Sequence, residues 1–253
     1  METVSHGGRS VAYRTTDFGD GPRVCYVHGA GSSHAVWVRQ YGDREGPPAV
    51  AVDLAGHGDS DDVDVDAGAA TLDAYADDVV AVWEATDATV LCGHSMGGAV
   101  VLWTVLERDL DPEAVLLVDT GATIPVDDGL LESLERNFES AVAAMHVPGA
   151  LFHDPDEDLV EVTKRGFLET GPAVTRRDFE TCASFDVRDR LEAIPRPTLV
   201  LAGEHDRLIQ SRHKRLVAES LPHGQYVELA EAGHMPMLER PSAFNDAVRS
   251  FLL

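Results

Sequence analysis

The chain has 253 residues, enough for one large α/β domain or two small ones, and its 44 % hydrophobic content supports a substantial core. Acidic residues number 44 against 20 basic ones, and the resulting formal charge of −24 argues against nucleic acid or an anionic membrane surface as a partner. There is no apolar run of about 18 residues, the N-terminal METVSHGGRS has neither a basic nor an apolar signal region, and Cys25, Cys92 and Cys182 lack metal-ligand spacing, so the expectation is a cytoplasmic protein without disulfides, metal or other cofactor.

In chain order, Val11–Arg14 and Arg23–His28 read as short strands, expected to be antiparallel, the second ending at H-G-A-G. Pro48–Leu54 is a third, ending at A-G-H-G-D-S. Thr71–Ala85 has helical spacing, with Leu72, Tyr75, Val79, Val82 and Trp83 on one broad face. Ala88–Cys92 is a strand followed by a helix from about Met96 to Glu107. Ala114–Asp119 is the next strand. From about Thr123 to Phe185 only helical patterns occur: Leu130, Leu131, Leu134, Phe138, Val142 and Met145, then Leu159, Val162 and Phe167. Strand character returns at Thr198–Ala202, followed by a helix over Ser211–Leu221 and a strand over Gln225–Leu229. A last helix opens with Pro241 in its first turn. Apolar strands alternating with helices predict a mostly parallel, doubly wound α/β sheet covered on both faces.

Chemistry concentrates where these strands end. Ser95 lies in Gly93-His94-Ser95-Met96-Gly97, a G-x-S-x-G pattern at a strand-to-helix turn. Such a turn lifts a serine hydroxyl above the sheet and needs small neighbours, because the helix crosses close to the strand. A serine nucleophile also needs a base, a group orienting the base, and donors for the oxyanion. Asp206 follows one strand tip in L-A-G-E-H-D-R-L, and His234 follows the last strand in E-A-G-H-M-P-M. Parallel strands share one C-terminal edge, so all three residues fall on it. The N–H of Met96, at the helix start, and the N–H of Ala30, in H-G-A-G, are the candidate oxyanion donors.

The segment 93–98, the His28-Gly29 loop, D-L-A-G-H-G-D-S at 53–60, P-T-L-V-L-A-G-E-H-D at 197–206 and G-H-M-P-M-L-E-R-P at 233–241 resemble the α/β-hydrolase fold superfamily. The resemblance implies an eight-stranded sheet, a helical cap between the sixth and seventh strands, and Ser95, Asp206 and His234 as a catalytic triad. It divides the chain into a core over 1–121 and 186–253 and a cap over 122–185. The implied activity is hydrolysis of small, fairly apolar carboxylic esters or lactones through an acyl-enzyme. Relatives that use a carboxylate nucleophile carry Asp where Ser95 stands, and relatives that cleave carbon–carbon bonds tend to carry Asn where His94 stands. A C–C hydrolase, a cofactor-free perhydrolase and a small-molecule receptor retaining the triad are the other readings.

Competing assignments exist at several positions. Asp119 also ends a strand and is the second candidate for the triad acid. His94, His28 and His57 are expected to pack or shape loops near the site, His205 to be exposed, and Cys92 to be buried. Trp37, Met96 and Met235 are candidates for an apolar pocket wall. The acidic runs D-V-D-V-D-A-G from Asp62 and D-P-D-E-D from Asp154 depart from a calcium-loop pattern and are expected to be solvated.

The charge itself carries an expectation. Only Lys164 and Lys214 are lysines, and self-repulsion at −24 destabilises a compact state unless salt screens it. A chain suited to a high-salt cytoplasm should gain stability through molar KCl. Denaturation midpoints measured in a KCl series should therefore rise, and a maximum at low salt would contradict the halophilic reading.

Overall fold

In the computed structural model, which describes residues 1–252, the strands form a single eight-stranded sheet in the order β1-β2-β4-β3-β5-β6-β7-β8. They are β1 (Glu2–His6), β2 (Arg9–Thr16), β3 (Val24–Val27), β4 (Ala49–Val52), β5 (Val90–His94), β6 (Ala114–Val118), β7 (Thr198–Gly203) and β8 (Gly224–Leu229). Only β2 runs against the others, pairing antiparallel with β1 on one side and β4 on the other. The expected antiparallel strand is therefore present, but its neighbours are β1 and β4 rather than β3. The sequence pattern does not mark β1: Glu2–His6 is an edge strand, partly exposed along its length, with no apolar run.

The central strands read as unbroken apolar runs because both faces of the sheet are covered. Along β3, Cys25 and Val27 join one core and Val24 and Tyr26 the other. Leu91 of β5 likewise faces the first core, and Val90 and Cys92 face the second. The first core is closed by α2 (Ala69–Thr86), α3 (Met96–Glu107) and α7 (Ser211–Ser220). The second is closed by the turn His34–Trp37, by α1 (Val38–Tyr41), and by α8 (Pro236–Glu239) and α9 (Pro241–Leu252). Alternate residues of one strand thus serve opposite faces, as the two-residue side-chain period requires.

Between β6 and β7 the chain is helical: α4 (Asp128–Arg136), α5 (Phe138–Met145) and α6 (Glu157–Ser184). One antiparallel bridge, Thr123 to Asp186, ties the two ends of this insertion together. Helix α6 breaks at Gly171, whose φ of 81° lies outside the helical region, just before Pro172. Side-chain oxygens cap all three helices: Asp127 accepts from the Gly129 N–H, Asn137 from Ser140, and Asp156 from Asp158. The second acidic run therefore supplies a helix cap. In the first run, Asp62 meets Arg177 of α6 at 2.6 Å.

Helix α3 crosses β3 at Gly97. A Cβ there would stand 2.4 Å from the carbonyl oxygens of both Val27 and His28, which are backbone atoms that cannot move without shifting the sheet. Gly97→Ala should cost about 3 kcal/mol or more, lowering the melting temperature by about 6–12 °C. Thermal unfolding by circular dichroism measures this directly.

Candidate active site

Ser95 is the single residue between the end of β5 and the start of α3, and its φ of 52° is a left-handed conformation rare for a side chain with a Cβ. Four hydrogen bonds maintain it. The Ser95 N–H donates to the Val118 carbonyl at 2.9 Å, its carbonyl accepts from Thr120 Oγ1 at 2.8 Å, and the Gly98 and Ala99 N–H groups donate to that same carbonyl. The hydroxyl is half-buried and opens into a cavity of about 500 Å³.

His234 lines the same cavity. Its Nδ1–H donates to Asp206 Oδ2 at 3.0 Å, which leaves Nε2 as the ring's free base. Asp206 Oδ1 accepts from the Leu208 and Ile209 N–H groups at 2.8 and 3.2 Å, while Oδ2 also accepts from Lys214 Nζ at 2.9 Å. Burial alone would raise this carboxyl, but the His234 and Lys214 contacts outweigh burial and hold it well below the usual carboxylate range. For His234 burial favours the neutral ring, yet the Asp206 charge and hydrogen bond, helped by Asp119, raise its pKa above the ordinary 6.5.

The strand-tip residues named from sequence thus converge, with one addition and one correction. The addition is Lys214, fully buried on α7, whose ammonium bonds both Asp206 and Asp119. Asp119 does not touch His234 Nδ1; its carboxylate accepts from the Gly203 N–H and from Lys214. Among the described residues, Asp119, Asp206 and His234 are the group whose donor atoms, all within 4.8 Å of one another, could hold a metal ion. The Lys214 ammonium already supplies the counter-charge to both carboxylates there.

The correction is Trp37. Its side chain is fully buried in the second core, with ring centroids 4.8 Å from Tyr26, 6.1 Å from Phe244 and 6.4 Å from His94, and it does not line the cavity. The turn His34–Trp37 aims it at the sheet face under α9 rather than at the strand tips. The Met96 side chain is likewise core, while Met235 and Ala30 do line the cavity.

Near the cavity the other histidines have separate duties. His94 Nε2–H donates to the His234 carbonyl at 2.7 Å; burial and the neighbouring His234 lower its pKa to about 3, so it stays neutral. His28 accepts from the Leu54 N–H and so turns Nδ1–H toward the Gly29 carbonyl; burial, with His57 nearby, lowers it to about 4. His205 is exposed and stacks on His153. Cys92 is buried, and burial pushes its thiol far up, which leaves it unreactive.

His57 is different. Nδ1 faces the Ala55 carbonyl at 3.1 Å and Nε2 faces Asp178 Oδ2 at 2.9 Å. Both partners are acceptors, so they favour the imidazolium, the form in which both ring nitrogens donate. Burial opposes that charge, but Asp178 overrides it and raises the pKa. Asp178, fully buried on α6, also accepts from Tyr75 Oη at 2.6 Å and from the Gly31 N–H at 3.1 Å. Gly31 neighbours Ala30, and a Cβ on Gly31 would lie 2.2 Å from the Phe167 ring of the insertion. The insertion therefore grips the loop that carries the Ala30 N–H. Among the described residues, neither the Ala30 nor the Met96 N–H has an acceptor.

The sequence profile of the alpha/beta hydrolase family matches residues 26–247. The chain belongs to the alpha/beta hydrolase family. A solved structure described as a thermophilic esterase superposes on this hydrolase with a TM-score of 0.87 at 31 % identity, covering 99 % of this chain and 96 % of the other. 3-Oxoadipate enol-lactonase 1 of Acinetobacter baylyi is 24 % identical, over 97 % of this chain and 94 % of its own. Est816, described as an N-acyl homoserine lactone degrading enzyme, shares the fold with a TM-score of 0.84 at 24 % identity, covering 99 % of this chain and 100 % of its own. The two structural superpositions each cover 99 % of this chain, the helical insertion included. No helix among the described residues of this one is long and apolar enough to cross a membrane.

The buried His57–Asp178 pair makes stability depend on pH. The raised His57 pKa contributes stability that is complete below its unfolded value near 6.5 and is lost as pH rises through the folded value. Asp178 is lowered by His57, Tyr75 and Gly31 against the pull of burial; its contribution is present above its unfolded value near 3.8 and lost as pH falls through the lower folded one. His57→Gln should therefore cost most between about pH 4 and 6.5 and progressively less at alkaline pH. Urea titrations of both proteins across that range measure the difference; a cost independent of pH would show that His57 is not charged.

Proposed function

We propose that this hydrolase cleaves small, fairly apolar carboxylic esters or lactones through an acyl-enzyme formed on Ser95. One observation carries the reading: the strained Ser95 and the His234 imidazole held by Asp206 open into one cavity beside two N–H groups without acceptors. In this mechanism Ser95 Oγ attacks the acyl carbonyl while His234 Nε2 takes its proton. Asp206 holds the ring in the tautomer with Nδ1 protonated and stabilises the imidazolium that forms. The Ala30 and Met96 N–H groups receive the oxyanion, and losing one such donor typically lowers the rate about 10²–10³-fold. The imidazolium protonates the leaving alkoxide; in a lactone that alkoxide stays tethered to the acyl group. His234 then activates water, which releases the acid.

The cavity suggests the size and polarity of the substrate. At about 500 Å³ it falls in the range of small-molecule sites. Leu130, Met145, Leu151, Phe167 and Phe179 of the insertion roof it, and they offer apolar contact to an acyl or alkyl chain. In this reading residues 122–185 act as a cap over the core at 1–121 and 186–253. The 31 % identical thermophilic esterase and the enol-lactonase relative are consistent with ester or lactone substrates.

Ser95→Ala should abolish labelling by a fluorophosphonate probe and lower hydrolysis of short-chain p-nitrophenyl esters by about 10⁶-fold. A Ser95→Ala protein that labels as wild type does would refute the nucleophile. The kcat/KM profile should fall on the acid side through a pKa above 6.5, because Asp206 raises His234 and the protonated ring cannot act as base.

A further inference from the structure

Lys214 is an unexpected residue to find in this place. The chain has two lysines among its 20 basic residues, and Lys214 is the one Lys or Arg among the described residues with its side chain fully buried. A buried ammonium is costly to desolvate, and an apolar side chain of similar volume would fill the space at less cost. It lies where three separate segments meet: Asp119 after β6, Asp206 after β7, and His234 after β8. The ammonium bonds Asp119 Oδ1 and, at 2.9 Å, Asp206 Oδ2. That Asp206 oxygen is the same one that receives His234 Nδ1–H.

We propose that Lys214 is a positioning residue of the hydrolytic site, acting through Asp206: its ammonium bridges two neighbouring buried carboxylates, so that Asp206 keeps Oδ2 on His234 rather than turning it to Asp119. The proposal rests on the reading that Ser95, His234 and Asp206 act together. Two carboxylates at close quarters cannot both ionise without a counter-charge; one of them takes up a proton. Burial and the Asp206 charge push Asp119 up to about 7, with Lys214 and His234 pulling it the other way. Lys214 itself is raised, since both carboxylates outweigh its burial. Asp119 has no freedom to turn away: its φ is 41° and its carboxylate accepts the Gly203 N–H. The groups facing His234 are Asp206, Asp119, Lys214, the neutral His94 ring at 4.8 Å between centroids, and the Ser95 hydroxyl across the cavity. Among the described residues, the one cation bonded to these carboxylates besides a His234 imidazolium is Lys214.

Lys214 pulls Asp119 down, so without it Asp119 keeps its proton to higher pH. The protonated carboxyl is then a donor beside Asp206, whose Oδ2 has lost its Lys214 partner and is free to turn from His234 to Asp119. Lys214→Met should therefore lower kcat/KM about tenfold or more on its plateau. It should also move the acid limb to higher pH, because Lys214 opposes the His234 imidazolium. A merely structural role would leave that limb where it is. A Lys214→Met protein with wild-type kcat/KM, or with an unmoved acid limb, would overturn the proposal. If Lys214→Met does not fold, Lys214→Gln, a polar side chain without the charge, should show the same shift, and an unmoved limb in it overturns the proposal too. Failure of the underlying reading is seen separately, as ester hydrolysis that survives Ser95→Ala.

Discussion

The chain reverses from β5 into α3 within one residue, and that residue is Ser95. The reversal needs a left-handed backbone at a side chain that disfavours it, a cost of the order of 1–3 kcal/mol. The neighbouring structure must hold it in place, and it does so from two directions. Strand β6 anchors the Ser95 N–H through Val118, and Thr120 just beyond β6 donates to its carbonyl. Helix α3 can lie against β3 only because Gly97 has no side chain. The hydroxyl, the open N–H of Met96 and the adjacent loop of Ala30 take their positions from this one turn.

Around it the protein buries charge, and in the clusters of His234 and His57 the same contest decides the outcome. Desolvation favours neutral carboxyls and neutral histidines. At Asp206 the His234 and Lys214 contacts win over burial, and at Asp178 the His57, Tyr75 and Gly31 contacts do the same. At Asp119 burial and the neighbouring Asp206 charge push the carboxyl up to about 7 against the pull of Lys214 and His234. The surface acidity of the chain is a separate matter of solvation. These interior carboxylates are individually partnered and depend on one or two named cations or donors each.

The strand-tip geometry was legible in the sequence because parallel strands end on a common edge. Ser95, Asp206 and His234 each follow an apolar run by one to five residues, so their convergence needed no long-range contact to be guessed. Trp37 was misplaced for the opposite reason: periodicity shows that a residue is buried, but a short irregular turn hides which way its ring points. Strand β1 has no apolar run, and it became visible only through its pairing with β2. Lys214 and Asp178 were not legible because each depends on a distant partner: Lys214 has Asp206 8 residues away but Asp119 95 away, and Asp178 meets Gly31 147 residues away. A trace of Lys214 was present all the same: a lysine among Val217 and Ala218 on a helix, in a chain that otherwise uses arginine almost throughout.

The insertion between β6 and β7 does more than roof the cavity. Asp178 holds the Gly31 N–H, Phe167 lies over Gly31, and the Leu151 carbonyl accepts the His234 N–H at 2.9 Å. Both the loop bearing the Ala30 N–H and His234 are thus partly anchored by residues outside the sheet layer. An evolutionary or engineered exchange of the whole insertion would replace the supports of the machinery together with the walls of the pocket. New substrate preferences are therefore most accessible through the inward face of α4, which lines the cavity through Leu130 and carries none of those anchor residues.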